Sequence, residues 1–166
     1  MKCSAVLLTL TSALFACSCG ASSKTLNTAK VERAIANSIV KERGLDSTVG
    51  CPAGIPEQAG HVFVCAARLD AGSYPVTVTE LNGDGKVRYG DATPLVVLDV
   101  AKIERSIESS VFKQRRLRAT ASCPREVLQQ AGLEFRCIAV IDGASQRYPF
   151  VVSEVDNVGH VRYLGT

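Results

Sequence analysis

The chain has 166 residues, of which 46% are hydrophobic and 21% charged, a composition typical of a globular protein rather than a disordered one. Aromatic residues make up only 5% and there is no Trp, so we expect a core built mainly from Val, Ile, Leu and Ala. A net charge of +3 does not predict the broad basic face that nucleic-acid binding needs, and we expect no nucleic-acid partner.

The first 16 residues have the layout of an export signal. One Lys precedes an apolar run from Ala5 to Ala16, which is shorter than the roughly 20 apolar residues of a membrane-spanning helix. Leu14, Phe15 and Ala16 stand directly before a cysteine, which resembles the bacterial lipobox, although Phe15 is larger than the usual residue at its position. Residues 1–16 are therefore predicted to be a lipoprotein signal peptide.

Cys17 is the predicted lipidation site, and it would hold the exported chain to the outer face of the cell membrane by acyl chains. The alternative is an ordinary secretory signal cut near Ala21, which would release a secreted protein. In the lipoprotein interpretation residues 17–26, rich in small polar side chains, form a tether. Cys19 has no assigned role.

The remainder of the chain contains the same pattern twice. Cys51-Pro52, twelve further residues and Cys65 recur as Cys123-Pro124, twelve residues and Cys137, at an offset of 72 residues. After the second cysteine the offset becomes 74, and it aligns Tyr-Pro, Glu and Val-Arg-Tyr segments of both copies. We therefore predict a first repeat at 27–90, a linker at 91–98 and a second repeat at 99–166.

Each repeat is predicted to begin with a helix. Asn27 and Asp99 are equivalent, and both are residue types that cap helix N-termini. Apolar residues then recur at spacings of three and four, which predicts one apolar helix face packed on a sheet. The first helix is expected to end near Gly44 and the second near Arg116.

Strand-like segments rich in Val, Thr, Phe and Tyr follow each helix. The segments are a short approach to Cys51, then 61–69, 72–81 and 86–89, matched by 133–141, 147–155 and 160–164. Residues 82–85, Asn-Gly-Asp-Gly, predict a tight hairpin turn. Pro75 and Pro149 favour an edge strand, or the start of a strand, because proline cannot donate a backbone hydrogen bond.

The repeated cysteines are predicted to form disulfides in an oxidising compartment, Cys51 with Cys65 and Cys123 with Cys137. A zinc site is the competing interpretation, but it would require closely spaced ligand pairs that neither repeat contains. We expect no metal and no cofactor. The predicted fold class is α+β, with two tandem repeats, each one N-terminal helix packed on a three- or four-stranded antiparallel sheet with one disulfide.

The order of a Val-Glu helix, Cys-Pro, Gly-x-x-Phe-x-Cys and a closing hairpin resembles the bacterial domain-of-unknown-function family 4333, whose members are small exported modules frequently found in lipoproteins. In the first repeat these elements are Val31-Glu32, Cys51-Pro52 and Gly60 to Cys65. The second repeat has Ile103 in place of the valine and Leu133-Glu134 after its glycine. The resemblance implies a fold, disulfides and export, and it implies no activity.

No catalytic constellation is repeated. His61 aligns with Leu133 and His160 with Lys86, so a histidine-dependent triad would have to lie in one copy only. Glutamates before each hairpin turn, Glu80 and Glu154, are in predicted cross-strand reach of Arg88 and Arg162, which indicates structural ion pairs. We therefore expect that this protein is not an enzyme.

One charged feature differs between the repeats. The second helix ends with Lys113, Arg115, Arg116 and Arg118, where the first repeat has a stretch of mixed charge at 41–46. These cations are a candidate contact for anionic headgroups or wall polymers, and the alternative is a solvated helix end. The predicted function is non-catalytic binding of a protein or envelope polymer at the cell surface. A small-ligand carrier with a cavity between helix and sheet is the alternative.

Overall fold

The structure is a computed structural model that describes residues 24–91 and 95–166, and it contains the same order of elements twice. The first repeat comprises α1 (Thr28–Arg43), β1 (Thr48–Gly50), β2 (Val62–Arg68), β3 (Ser73–Glu80) and β4 (Val87–Asp91). The second comprises α2 (Val100–Arg115), β5 (Ala119–Ser122), β6 (Glu134–Ile141), β7 (Arg147–Glu154) and β8 (Val161–Gly165). This is the α+β arrangement that the sequence predicts, with four strands in each sheet.

The helix ends follow local sequence. Asn27 Oδ1 accepts a hydrogen bond from the N–H of Lys30 at 3.2 Å, and Asp99 Oδ1 accepts one from Lys102 at 3.1 Å. The residues that cap the C-termini, Gly44 after α1 and Arg116 after α2, are both left-handed, with φ of +66° and +58°. Glycine adopts this conformation without a steric penalty, whereas Arg116 adopts it at a steric cost.

Each helix packs one apolar face on its sheet. In α1 the buried residues recur at every fourth position, and the same is true of α2. They are Val31, Ile35 and Ile39, and Ile103, Ile107 and Val111. Each sheet contributes alternate residues to the same core, including the second cysteine of each pair. The two repeats therefore have separate aliphatic cores.

Both sheets are antiparallel meanders, with strand orders β1-β2-β3-β4 and β5-β6-β7-β8. Pro75 lies in β3, an inner strand, so of its two predicted placements the edge strand was wrong, whereas a position near the start of the strand is what the structure shows. It is the third residue of that strand, and β3 pairs with β4 only from Val76 onward. Pro149 likewise precedes the first β8 pair at Phe150. Proline is tolerated because neither position pairs with the outer strand.

The two predicted disulfides are present, Cys51–Cys65 and Cys123–Cys137, with Cα–Cα distances of 4.3 and 4.2 Å. A second contact reinforces each one. Glu32 in α1 accepts a hydrogen bond from the Cys51 N–H at 2.9 Å, and Glu104 in α2 accepts one from Cys123 at 2.9 Å. Each helix is thus held to the segment that carries the disulfide.

The predicted Glu–Arg pairs do not form. Glu80 is opposite Val87, and Arg88 is opposite Thr79, so the glutamate and the arginine lie on opposite faces of the sheet. Glu80 is fully buried, and its carboxylate accepts backbone N–H groups from Gln58 at 2.8 Å and Gly85 at 3.2 Å.

The register is the same in the second repeat, where Glu154 is opposite Val161 and Arg162 is opposite Ser153. Glu154 is buried as well, and it accepts a hydrogen bond from Gln130 N–H at 2.8 Å. These glutamates organise the turns between strands rather than form ion pairs.

The ends of the predicted tether and linker belong to the repeats. Leu26 is buried in the first core, and its N–H donates to Ile55 at 2.8 Å. Leu98 is buried in the second core, and its N–H donates to Val127 at 2.9 Å.

The repeats contact each other through the turn between β2 and β3. Ala71 forms a parallel bridge with Val127, with Ala71 N–H donating to Glu126 and Leu128 N–H donating to Ala71. The Asp70 carboxylate accepts the N–H groups of Arg125 and Glu126 at 2.9 and 3.2 Å.

Leu128 completes this contact because its side chain packs into the core of the first repeat. The position equivalent to Leu128 in the first repeat is Pro56, which has no N–H to donate. The first repeat therefore cannot receive a further repeat at this position by the same hydrogen bonds.

Candidate binding groove

A groove lies between the C-terminal half of α2 and the last two strands of the second sheet. We call it the second-repeat groove, and its volume is about 290 Å³. Its lining residues are Ser110, Val111, Gln114, Arg115, Ile141, Tyr148, Pro149, Phe150, Tyr163, Leu164, Gly165 and Thr166. The lining combines apolar side chains with about as many polar ones, so the groove can bind both apolar and hydrogen-bonding groups.

The first repeat has the equivalent groove, and there a side chain fills it. Leu95, which follows the predicted linker's first residues, lies against α1 and β4 and is only 7% exposed. Arg43 at the end of α1 donates a hydrogen bond to the Leu95 carbonyl at 3.4 Å. The volume that remains in this first-repeat groove is about 140 Å³.

The walls of the two grooves correspond residue by residue. Ser38, Ile39, Glu42, Arg43 and Tyr89 in the first repeat align with Ser110, Val111, Gln114, Arg115 and Tyr163 in the second.

Phe150 replaces Val76 and adds bulk to the second-repeat groove, yet this groove has about twice the volume of the first. Among the described residues, no side chain takes the place of Leu95 there. The second-repeat groove is therefore an open counterpart of a filled one.

Hydrogen bonds fix the polar groups of the groove. The Tyr163 hydroxyl donates to the Ser106 carbonyl at 3.1 Å, and it lies 2.9 Å from the Ser110 hydroxyl. The corresponding Tyr89 in the first repeat donates to the Ala34 carbonyl at 3.2 Å. Because the phenol is anchored to the helix backbone, the helix-facing wall is rigid and its shape is preformed.

Arg115 lies at the groove over the Tyr148 ring, with its guanidinium carbon 5.7 Å from the ring centroid. Of the four predicted surface cations it is the one that lines this groove. Arg118 lies with Phe112 in a separate shallow depression, and Lys113 and Arg116 are exposed nearby. Within residues 24–91 and 95–166, none of the four forms an ion pair with a carboxylate.

Titratable groups with shifted pKa values lie outside the groove. Burial raises the pKa of Glu154, which the Gln130 N–H partly offsets, and its Oε1 atom has no hydrogen-bond partner in the described part of the chain. A hydrogen bond with the His160 ring, with Nδ1 and Oδ2 2.6 Å apart, lowers the pKa of Asp156. His61, the other histidine, packs against the Phe63 ring at 6.3 Å.

The described residues contain neither a candidate metal site nor a candidate membrane span. No group of three or more His, Cys, Asp or Glu side chains there could hold a metal ion. No helix in the same part of the chain is both long and apolar enough to cross a membrane. The predicted signal peptide and the predicted lipidation site, Cys17, lie outside the described residues.

Sequence reasoning did not identify the groove. Its lining combines a helix end with two strands that lie more than 30 residues further along the chain, so no local pattern marks it. One signal was present in the aligned repeats, where Val76 changes to Phe150 and Gly90 to Leu164. Both changes place a larger apolar side chain in the second repeat, Phe150 on the inner strand β7 and Leu164 on the edge strand β8.

Comparison with known families places part of the chain. The family described as "Domain of unknown function (DUF4333)" matches residues 12–85, which cover most of the first repeat and the segment before it. The match supports assignment of this part of the chain to that family. No curated protein matches the chain, and no solved structure matches it.

Proposed function

We propose that this chain is a non-catalytic exported lipoprotein whose second-repeat groove binds a protein partner at the cell surface. One observation carries the proposal: in the first repeat the equivalent groove holds the buried side chain of Leu95, which lies on an irregular segment. The walls are otherwise matched, so the first repeat shows what kind of group such a groove accepts. That group is an apolar side chain on an irregular peptide segment. A protein partner can supply such a group, whereas a polar envelope polymer cannot, so we favour a protein partner.

Export is supported by the two disulfides, which indicate an oxidising, extracytoplasmic location. We further assign the second repeat to the same family as the first, because it has the same elements, disulfide position and glutamate contacts. In this proposal Cys17 carries the lipid anchor and places both repeats on the outer face of the membrane.

The anchor is tested by replacing Cys17→Ser and separating membrane from soluble fractions. The wild-type protein is expected in the membrane fraction and the variant in the soluble fraction. Retention of the variant in the membrane would contradict the anchor without affecting the groove.

The binding function is tested by photo-crosslinking in cells. A photoreactive amino acid at Gln114, which is exposed at the second-repeat groove, is expected to capture a partner protein at a defined peptide. The matched control is Glu42, its equivalent in the filled groove. Capture from Gln114 should disappear when Leu164→Asp alters the groove wall, and equal capture from Glu42 would refute the site.

A small-ligand carrier is the second candidate, and the position of the groove between helix and sheet, with aromatic and polar groups in its lining, favours it. Native mass spectrometry of the protein purified from its own cells distinguishes the two candidates. A co-purifying small molecule that is lost in Leu164→Asp supports the carrier. A protein crosslink with no bound small molecule supports the binding module.

A further inference from the structure

We infer that the partner presents an acidic, leucine-bearing segment to the second-repeat groove. The inference rests on the proposed function and specifies the chemistry of its ligand. It comes from the first-repeat groove, which has equivalent walls and holds Leu95, and from the different charge at the end of α2.

The first-repeat groove supplies the template for the side chain. Leu95 is almost fully buried against the helix face that includes Ile35 and Ile39. In the second repeat Val111, the counterpart of Ile39, lines the groove together with Ile141, whereas Ile107 is fully buried and does not line it, and the groove has more space. An incoming side chain of leucine size would therefore meet an aliphatic floor of the same kind.

The same template supplies a backbone contact. Arg43 donates to the carbonyl of Leu95 at 3.4 Å, and Arg115 is the equivalent arginine in the second repeat. Arg115 is exposed, packs on the Tyr148 ring, and has no carboxylate partner among the described residues. Its remaining N–H groups can donate to the carbonyl next to the incoming leucine.

The charge at the end of α2 indicates which residues should flank the leucine of the ligand. Around the filled groove, Glu42 and Asp46 offset the cations, whereas the second repeat has Gln114 and Arg118 at these two positions. Lys113 and Arg116 at the same end of α2 are exposed as well and form no ion pair within the described residues, so the helix end that forms the rim is cationic, although of these four cations Arg115 alone lines the groove. Acidic residues beside the leucine complement this rim, and basic segments are repelled.

The backbone at the rim is itself unusual. Among the described residues, Arg116 is the one residue other than glycine that has a positive φ. The equivalent position in the first repeat is Gly44. A left-handed arginine costs stability that glycine would not cost, so this position keeps a cation at the expense of local strain. The strain is consistent with a role for positive charge at the end of α2.

The test uses the folded chain without its signal peptide and a synthetic peptide probe. The probe has two Asp residues followed by the sequence of residues 92–97, Ala-Thr-Pro-Leu-Val-Val. Its binding is followed by NMR shift changes and fluorescence anisotropy. The expected shifts lie at Ser110, Tyr163 and Leu164, and binding weakens as salt concentration rises.

Two changes in the probe separate its contributions. Replacing its Leu by Ala removes three buried carbon groups and is expected to weaken binding by about tenfold or more. Replacing both Asp residues by Lys is expected to abolish detectable binding, because the rim then repels the peptide. Equal binding of the Leu and Ala peptides would overturn the inference, as would no binding of the original probe at millimolar concentration.

Matched protein variants locate the contact. Leu164→Asp places a charge in the groove wall, and Val158→Asp is its control because both side chains are 71% exposed and Val158 lies on the β7–β8 turn. Arg115→Glu is expected to weaken binding roughly fivefold, the upper end for one exposed charge pair. Arg33→Glu, an exposed arginine on α1, should leave binding unchanged.

An anionic membrane is the competing occupant of the cationic rim, and vesicles with and without phosphatidylglycerol test it. Vesicle binding that depends on Arg116 and is unaffected by Leu164→Asp, with no peptide binding, would overturn the peptide inference. A partner crosslinked at Gln114 that lacks an acidic leucine-bearing segment would also overturn it, but would leave the proposed function intact.

Discussion

Replacing Leu95→Ala is expected to destabilise the protein and to open the first-repeat groove. The side chain is 7% exposed, so the change removes three nearly buried carbon groups at about 0.8 kcal/mol each. The groove already has about 140 Å³ of space open to solvent, so water can enter after the change. We therefore expect a loss of about 2–3 kcal/mol, in the lower part of the range for leucine-to-alanine changes in cores.

The assay is equilibrium urea unfolding followed by circular dichroism. Val96→Ala is the matched control, because the next residue along the same segment is 45% exposed and should change the free energy of unfolding by less than about 0.5 kcal/mol. If Leu95→Ala costs no more than the control, Leu95 does not fill the groove. The second-repeat groove would then not be expected to bind a leucine side chain.

Three further changes test other contacts. Gly72→Ala places a Cβ atom 2.5 Å from Leu128 Cβ at a φ of +99°, so we expect the free energy of unfolding in urea to fall by about 3 kcal/mol or more. The control is Gly60→Ala, which has a φ of +80° but open space around it and should cost only about 1 kcal/mol. Equal losses would contradict the contact between the repeats. Glu80→Gln should cost about 1.5–3 kcal/mol in the same assay, because the buried carboxylate accepts two backbone N–H groups, and an unchanged midpoint would contradict this. Burial raises the pKa of Glu154 above its ordinary value of 4.5. Between that value and the higher pKa of the folded protein, the native state binds more protons than the unfolded state. The stability that comes from this protonation is therefore lost as pH rises through that window. Glu154→Gln should therefore gain stability relative to wild type as pH increases through that window, and a constant difference in thermal midpoint would show that Glu154 does not titrate in this way.

Local features of the fold could be predicted because they depend on neighbouring residues. Asn27 and Asp99 cap their helices, and Gly44 and Arg116 end them, as the residue types and the apolar spacing indicate. The Cys-Pro repeat indicates the disulfides, because equivalent cysteines in an exported chain pair within each copy. These features require no knowledge of how the strands are aligned.

Strand register decided the parts that sequence reasoning missed. Glu80 and Arg88 are close along the hairpin, but a shift of one residue places them on opposite faces, so the expected ion pair became a buried carboxylate bound to backbone groups. The inner position of Pro75 has the same origin, since it depends on where β4 begins to pair. Alternation along a strand predicts faces, but not which residue of the neighbouring strand is opposite.

The sequence by itself determined a duplicated, disulfide-linked α+β module and predicted its export, because repetition, helix caps and cysteine spacing are properties of the linear chain. Only the tertiary structure showed that Leu95 fills one groove while its counterpart is open, and that Leu128 of the second repeat packs into the first core. Both facts depend on distant segments meeting in space, and packing of that kind leaves no fixed spacing in a sequence.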